Sequence, residues 1–241
     1  MLKIRCSQLG NIMTLPRAKK DQDKLSQGAM TYLTQLAKEY VYDYQNPINS
    51  KYIEKGNECE QDSIDLLNEL MIESGEFVSY EKNDIRYENS LLTGEMDIVA
   101  VGQKLTRDTK TSWNLDSFPS TVEEALNQSS ASMYEWQGRG YMLLLNEHGI
   151  EINHHIVDYC LVDTPDRLIS AFDDSLHTFS HYPTKMRVTS VKYERCIEKE
   201  EMIRERVRLA QDFLTQTVFQ IYLDHGYSVR EINEIMSKVE L

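Results

Sequence analysis

The stretch Thr93-Gly94-Glu95-Met96-Asp97 is followed, eleven positions beyond its aspartate, by Asp108-Thr109-Lys110. Both segments lie in runs of residues that are typical of β-strands, in which side chains two positions apart project to the same face. Asp108 and Lys110 are therefore expected to point together, while Thr109 faces away. This pattern places a carboxylate and an ammonium side by side on one strand.

The runs Leu91–Val101 and Lys104–Thr111 are expected to form a hairpin that sets Asp97 opposite Asp108. Two carboxylates would then converge beside one ammonium. Hard oxygen ligands of this kind hold Mg²⁺, and such a site can activate a water next to a scissile phosphate. The alternative interpretation is a solvated hairpin whose charges lie at the surface.

Length and composition set bounds on the class of protein. A chain of 241 residues predicts one domain with a sizeable core. No uninterrupted apolar run approaches about 18 residues, and the N-terminus lacks the apolar core of a signal peptide, so we expect no membrane span and a cytoplasmic location. The cysteines are widely spaced and form no CxxC pair, which disfavours structural zinc and favours reduced thiols at Cys6, Cys59, Cys160 and Cys196.

The net charge of −13 argues against a generic nucleic-acid binder. The charge is unevenly distributed, however, because residues 1–20 hold five basic residues and no acid, and residues 182–195 hold four basic residues and only Glu194 as an acid. One interpretation is a basic DNA path on an acidic body. The alternative is that these segments are solvated faces that contact no DNA.

Periodicity and end signals outline the other elements. Helices are predicted where apolar residues recur at helical spacing between capping residues, over Ser26–Tyr44, Lys51–Ser74 (stopped by Gly75), Thr121–Asn146 (with a break near Ser129-Ser130), Thr164–His177, Glu198–His225 (ended by Gly226) and a short segment after the capping box Ser228-x-x-Glu231. Strands are predicted at Phe77–Tyr80, Ile85–Tyr87 and Ile152–Val162, and loops at Asn46–Ser50 and Trp113–Pro119.

Four segments in this order resemble the PD-(D/E)xK nuclease superfamily. They are a short serine-containing segment at Arg5–Met13, Gly-x-x-x-Glu at Gly56–Glu60, the hairpin with Asp97 and Asp108-x-Lys110, and Gln-x-x-x-Tyr at Gln137–Tyr141. The arrangement over roughly residues 5–162 is most similar to the YqaJ-type and lambda-exonuclease-like alkaline exonucleases of phage recombination. One departure is Asp108, where close relatives more often have glutamate; the superfamily pattern allows either.

The resemblance implies an α/β fold with a restriction-endonuclease-like core, in which a small mixed β-sheet is flanked by helices. It implies a single nuclease domain, with a core over about residues 5–180 and a helical C-terminal extension over about residues 181–241. It also implies Mg²⁺, or Mn²⁺, as cofactor and DNA as substrate. Lambda-type relatives form a ring-shaped trimer, which would reconcile an acidic exterior with a basic channel.

The resemblance also assigns roles to individual residues. Asp97 and Asp108 would bind the metal together with the backbone carbonyl of Thr109, and Lys110 would be the base or orient the water. Glu60 would reach the metal directly or through water, with Glu58 as the rival acid on the same helix.

Further residues have both a functional and a structural interpretation. Gln137 and Tyr141, spaced i and i+4, would face the cleft, although Tyr141 fits a core position equally well. Ser7 and Arg5 would bind a phosphate, or Ser7 would be a strand-edge residue without a role.

An aromatic side chain among Trp113, Asn114 and Phe118 could stack on a base, but a packed loop anchor is the favoured interpretation. His154 and His155, adjacent on a strand, would point to opposite faces and serve structural roles.

The leading functional hypothesis is a Mg²⁺-dependent exonuclease that hydrolyses duplex DNA ends in phage recombination and hands single strands to an annealing protein. An endonuclease of the same fold is the first alternative. A binding or assembly module without catalysis is the second, and the acidic balance favours it.

Overall fold

The computed structural model describes residues 3–44, 50–170 and 176–238. Its strands are β1 Ile4–Arg5, β2 Tyr87–Glu88, β3 Leu92–Gly94, β4 Ile98–Ala100, β5 Leu105–Thr111, β6 His154–Cys160 and β7 Val188–Glu194. Its helices are α1 Leu9–Ile12, α2 Gln27–Val41, α3 Lys51–Glu58, α4 Glu60–Glu73, α5 Val122–Asn127, α6 Ala131–Glu147, α7 Ile197–Asp224 and α8 Val229–Lys238. None of the helices in these ranges is long and apolar enough to span a bilayer.

The main sheet has four strands in the order β4-β5-β6-β7, and its central pair β5 and β6 is parallel while both outer pairs are antiparallel. A smaller sheet has the order β1-β3-β2. Helix α4 packs on one face of the main sheet through Ile64 and Leu67, and α6 covers the other face. The mixed α/β architecture that the sequence predicts is therefore present.

The predicted hairpin is confirmed in its outer part. Ile98 of β4 pairs with Arg107 of β5, so Asp97 precedes the strand at the level of Asp108. The prediction of one continuous run over Leu91–Val101 is wrong, because β3 ends at Gly94 and belongs to the smaller sheet. The intervening residues carry the chain from one sheet to the other.

Several helix ends follow their sequence signals. The Ser26 hydroxyl accepts a hydrogen bond from the Ala29 amide at 3.1 Å and caps α2. The predicted break between α5 and α6 is present. Helix α7 is followed by Gly226 at a φ of +86°, and Ser228 and Glu231 form the capping contacts of α8.

Other local predictions are wrong. The single helix over Lys51–Ser74 is two helices that meet at Cys59, whose backbone leaves the helical conformation. Of the two short strands predicted before the hairpin, one forms, at Tyr87–Glu88, and Phe77–Tyr80 pairs with no strand in the part of the chain that the structure describes. In the described part of the helix predicted over Thr164–His177, a 3₁₀ turn over Asp166–Leu168 stands in place of its first turns. Positions 171–175 of that segment, and 45–49 of the predicted loop, lie outside the described residues.

The central core contains residues from both the N-terminal and the C-terminal parts of the chain. Helix α6 contributes a fully buried run from Met142 to Leu145, which packs with residues of α1 and α2. Helix α7 supplies Ile203, Val207 and Ala210 to the same cluster, and β7 is an edge strand of the main sheet. The division into a core and an extension at about residue 180 stays a prediction, but β7 and α7, which lie beyond that point, pack into the body.

Gly138 marks the closest approach of α6 to the main sheet. A Cβ atom at this position would lie 1.9 Å from Cδ2 of His155 on β6, and that imidazole is itself fully buried. We therefore expect Gly138→Ala to lower the free energy of unfolding by about 3 kcal/mol, at the upper end of ordinary overpacking costs. Urea denaturation followed by circular dichroism would measure the loss.

A matched control is Gly56→Ala in α3, where an added Cβ has no neighbour within 4 Å. Here alanine is expected to stabilise the helix by up to about 1 kcal/mol, because glycine is a poor helix former. Equal changes in the two variants would contradict the packing argument.

Candidate active site

A cavity of about 870 Å³ opens between α3 and α6, with β5 as its floor and β3 at one end. It brings together nearly all the residues that the sequence predicts for the site. Its lining includes Arg5, Ser7, Glu60, Asp97, Asp108, Thr109, Lys110, Gln137 and Tyr141. Residues from four separate segments of the chain therefore converge, as the resemblance implies.

Asp97 is held by the strand opposite. Its Oδ2 atom accepts hydrogen bonds from the Thr109 amide at 2.6 Å and from the Thr109 hydroxyl at 2.9 Å. Burial raises the pKa of Asp97 well above its ordinary value, and the charge of Asp108 raises it further; Lys110 and the two bonds from Thr109 offset only part of this effect. Two carboxylates thus share one buried space with a single cation.

Asp108 and Lys110 form an ion pair on the α6 face of β5. Oδ2 of Asp108 is buried and lies against the ammonium without accepting a hydrogen bond of good geometry. Burial alone would lower the pKa of Lys110, but the charges of Asp108 and Asp97 outweigh it and raise that pKa. The ammonium also lies 4.8 Å from the ring centroid of Tyr134, so it stays charged and oriented.

Gln137 and Tyr141 connect the carboxylates to α6. Gln137 Nε2 donates to Asp108 Oδ1 at 3.4 Å and to the Tyr141 hydroxyl at 2.7 Å, and that hydroxyl donates to the Glu95 carbonyl at 3.0 Å. Tyr141 is only 3% exposed. Both interpretations of Tyr141 therefore apply, since its ring is core and its hydroxyl reaches the cavity.

Glu60 lines the cavity and forms an ion pair with Lys82 at 3.1 Å. Its rival, Glu58, is absent from the lining and pairs with Arg167 on the exposed side of α3. This placement favours Glu60. Within the described ranges, however, no three acidic, histidine or cysteine side chains are close enough to form a metal cluster, so Glu60 stands apart from the two aspartates.

The two basic segments differ in their pairing. In residues 182–195, Arg187, Lys192 and Arg195 all face carboxylates, those of Glu69, Glu194 and Glu200. In residues 1–20, Arg5 reaches the cavity, and no ion pair forms at Arg17, Lys19 or Lys20 with any residue that the structure describes. Within the described residues, the N-terminal segment therefore has more basic side chains without an ion pair than the segment 182–195, in which Lys185 alone has none, although Lys3 pairs with Glu88.

His154 and His155 point to opposite faces of the sheet, as predicted. His155 is fully buried, lies against Gly138 and hydrogen-bonds the Thr106 hydroxyl at 2.9 Å, and burial lowers its pKa to about 3. His154 contacts Glu194 at the sheet surface at 2.7 Å. The structural interpretation of this pair therefore fits the geometry.

The loop after β5 is anchored by its own aromatic residue. The Trp113 ring meets Tyr52 and His177 edge-on, with centroid distances of 5.1 Å and 4.9 Å, and Phe118 is buried. Asn114 caps the short 3₁₀ turn that follows. The favoured prediction of a packed anchor at Trp113 agrees with these contacts.

Lys55 is a residue of the site region that the sequence interpretation missed. It is fully buried, donates to the Ser112 carbonyl at 2.8 Å and to the Trp113 carbonyl at 3.1 Å, and so links the chain that follows β5 to α3. Burial lowers its pKa to about 8. The available signal was position: Lys55 shares a helical stripe with the buried residues Cys59 and Ser63.

Comparison with known proteins identifies the family of this chain. No protein-family model and no curated protein matches the chain. Among solved structures, a phage-related exonuclease from Haemophilus somnus 129PT is 34% identical, with 91% of this chain and 96% of that one covered and a TM-score of 0.81. The alkaline exonuclease LHK-Exo from Laribacter hongkongensis is 15% identical, with 93% of each chain covered and a TM-score of 0.61, and it has also been solved in complex with dAMP. The distant pair shares the fold, and the first relative shows that this chain belongs to the YqaJ-type family of phage exonucleases.

Proposed function

We propose that this protein is a Mg²⁺-dependent DNA exonuclease that hydrolyses phosphodiester bonds at duplex ends. The observation that carries the proposal is the convergence of Asp97, Asp108 and Lys110 in one cavity, in a chain that is 34% identical to a phage-related exonuclease. The fold alone would not suffice, because unrelated functions share folds.

The residues of the cavity fit a divalent cation. Two buried carboxylates at close quarters are costly without one, and both the raised pKa of Asp97 and the poorly bonded Oδ2 of Asp108 express this cost. Asp97, Asp108 and the Thr109 carbonyl would hold Mg²⁺ or Mn²⁺, and Glu60, which stands apart from the two aspartates, would reach it through water. The ion would supply Lewis-acid stabilisation of phosphate charge and lower the pKa of a bound water.

The other residues of the cavity position the reacting groups. Lys110 would orient the attacking water and stabilise the charge that develops on the phosphate. Gln137, itself bonded to Tyr141, would fix the orientation of the Asp108 carboxylate. Ser7 and Arg5, at the mouth, offer a hydroxyl and a guanidinium to a DNA phosphate.

The biological role we propose is the processing of DNA ends in phage recombination, with transfer of the resulting single strand to an annealing protein. A homotrimeric ring would place the unpaired cations of the N-terminal segment around the DNA and leave acidic surface outside. This assembly follows from the family resemblance and is a proposal for this chain.

The test is a nuclease assay on linear, 5′-phosphorylated duplex DNA beside a closed circle of the same sequence, with Mg²⁺, Mn²⁺ or EDTA. We expect loss of the linear DNA alone, only with metal, and no loss with the isosteric variant Asp108→Asn. Cleavage of the circle would instead indicate an endonuclease. Folded protein that cleaves neither DNA would indicate a binding module.

A further inference from the structure

A second cavity of about 490 Å³ continues from the active-site cavity along the same groove. The two cavities share Lys110, Thr111 and Tyr134 in their linings. The first lies toward Asp97, and the second lies beyond Lys110, where β5 ends and the Trp113 loop begins. A molecule whose phosphate lies at Lys110 therefore has space on both sides of that phosphate.

The two cavities differ in chemistry. The first contains four acids and three cations, those of Glu60, Glu95, Asp97, Asp108, Arg5, Arg86 and Lys110. The second contains only Lys110 and Asp116 as charged groups. The rest of its lining is aromatic or neutral and polar, and includes Tyr52, Trp113, Tyr134, Tyr159, Asn114, Ser117 and Gln128. It is thus suited to a flat, uncharged ring with hydrogen-bonding edges.

Trp113 and Tyr52 form an aromatic wall of the second cavity, in which Trp113 is fixed by its neighbours and Tyr52 is exposed. Trp113 is held by its contacts with Tyr52 and His177, and its carbonyl accepts from the buried Lys55. Tyr52, on the first turn of α3, is 58% exposed although it borders a cavity. Nucleobases stack on aromatic side chains presented in this way, with little dependence on sequence.

We propose that this second cavity binds a nucleobase of the strand whose phosphate lies at Lys110, with Tyr52 as its stacking partner. The inference rests on the proposed function and adds to it a subsite that recognises the base. The base belongs either to the nucleotide that is released or to the one that stays on the strand. Both sources present the same ring to Tyr52, and the position of a missing base distinguishes them.

The test combines a protein variant with a substrate that lacks a base. Linear duplexes would carry a normal nucleotide or an abasic tetrahydrofuran analogue at the first or the second position of the digested strand. Tyr52→Ala is expected to lower kcat/KM about tenfold on normal DNA, while Tyr52→Phe retains it. On DNA abasic at the recognised position, the wild type loses the same factor and Tyr52→Ala causes no further loss.

Tyr42→Ala is the matched control, because Tyr42 is also 58% exposed but lies at the end of α2 outside both cavities. It should digest all substrates like the wild type. A tenfold loss for Tyr52→Ala that persists on both abasic DNAs would overturn the proposal, as would no loss on normal DNA. Dependence on the first position assigns the released nucleotide, and dependence on the second assigns its neighbour.

A binding measurement separates this inference from the proposed function. Fluorescence anisotropy in EDTA would compare the affinity of wild type and Tyr52→Ala for the same DNA ends, normal and abasic. If the wild type cleaves nothing, the proposed nuclease function fails, and a base-dependent loss of affinity in Tyr52→Ala still supports the subsite. Equal affinities for all DNAs in both proteins would overturn the subsite even in an active nuclease.

Discussion

Lys110→Ala is expected to abolish DNA cleavage, with kcat reduced by about a thousandfold, a loss typical when a preorganised charge at a reaction centre is removed. The ammonium pairs with Asp108 and lies 4.8 Å from the ring centroid of Tyr134, so it is held in one position beside the carboxylates. DNA affinity should fall by less than about tenfold, because one cation among several phosphate contacts contributes little. Single-turnover digestion and fluorescence anisotropy would measure the two effects.

Lys192→Ala is the control for charge and strand position. Like Lys110, Lys192 lies on the main sheet and pairs with an acid two positions away, Glu194, at 3.1 Å. It lies on β7, outside the cavity, and its replacement should leave the cleavage rate unchanged. A Lys110→Ala protein that cleaves at nearly the wild-type rate would remove the assignment of this site.

Arg107→Met is expected to have the largest effect on stability, a loss of about 3–5 kcal/mol in the free energy of unfolding. Arg107 makes a bidentate ion pair with Asp158 on the α4 face of the main sheet, through bonds of 2.7 Å and 2.8 Å. Asp158 is fully buried, and the Ser190 hydroxyl that also donates to it cannot neutralise its charge. Removing Arg107 leaves a carboxylate without its counter-charge in the interior. Urea denaturation at neutral pH would measure the loss.

Arg230→Met provides the comparison for this variant. Arg230 also pairs with a carboxylate, that of Glu234 at 3.1 Å, but its side chain is 89% exposed. Solvent screens such pairs, so the expected change is below about 0.5 kcal/mol. Losses of the same size in both variants would show that burial does not increase the contribution of the Arg107 pair to the free energy of unfolding.

The central feature of the site could be predicted from the sequence because it depends on a local rule. The two-residue period of a strand places Asp108 and Lys110 on one face, and a short hairpin is enough to bring Asp97 beside them. The motif order then located Glu60, Gln137 and Tyr141 in the same cavity. The first inference needed only spacing along the chain, whereas the second depended on the resemblance to a nuclease family that has these motifs in the same order.

Tertiary packing decided the features that were missed. The apolar positions Ile64, Leu67, Leu70 and Met71 fit one helical period, and no proline separates α3 from α4, so nothing in the sequence indicates the break at Cys59. Lysine is usually a surface residue, and the burial of Lys55 is explained by the hydrogen bonds that its ammonium donates to the carbonyls of Ser112 and Trp113. The segment Phe77–Tyr80 has the composition of a strand but pairs with no strand among the described residues.

The contact between Gly138 and His155 limits which residues related proteins can carry at these two positions. The imidazole of His155 fills the space that a side chain at position 138 would need. The same imidazole meets the Tyr141 ring edge-on behind the site. A relative with a larger residue at 138 must therefore carry a smaller one at 155. Among homologous sequences the two positions should vary as a pair, and a change at either one alone should be selected against even though neither residue lines the active-site cavity.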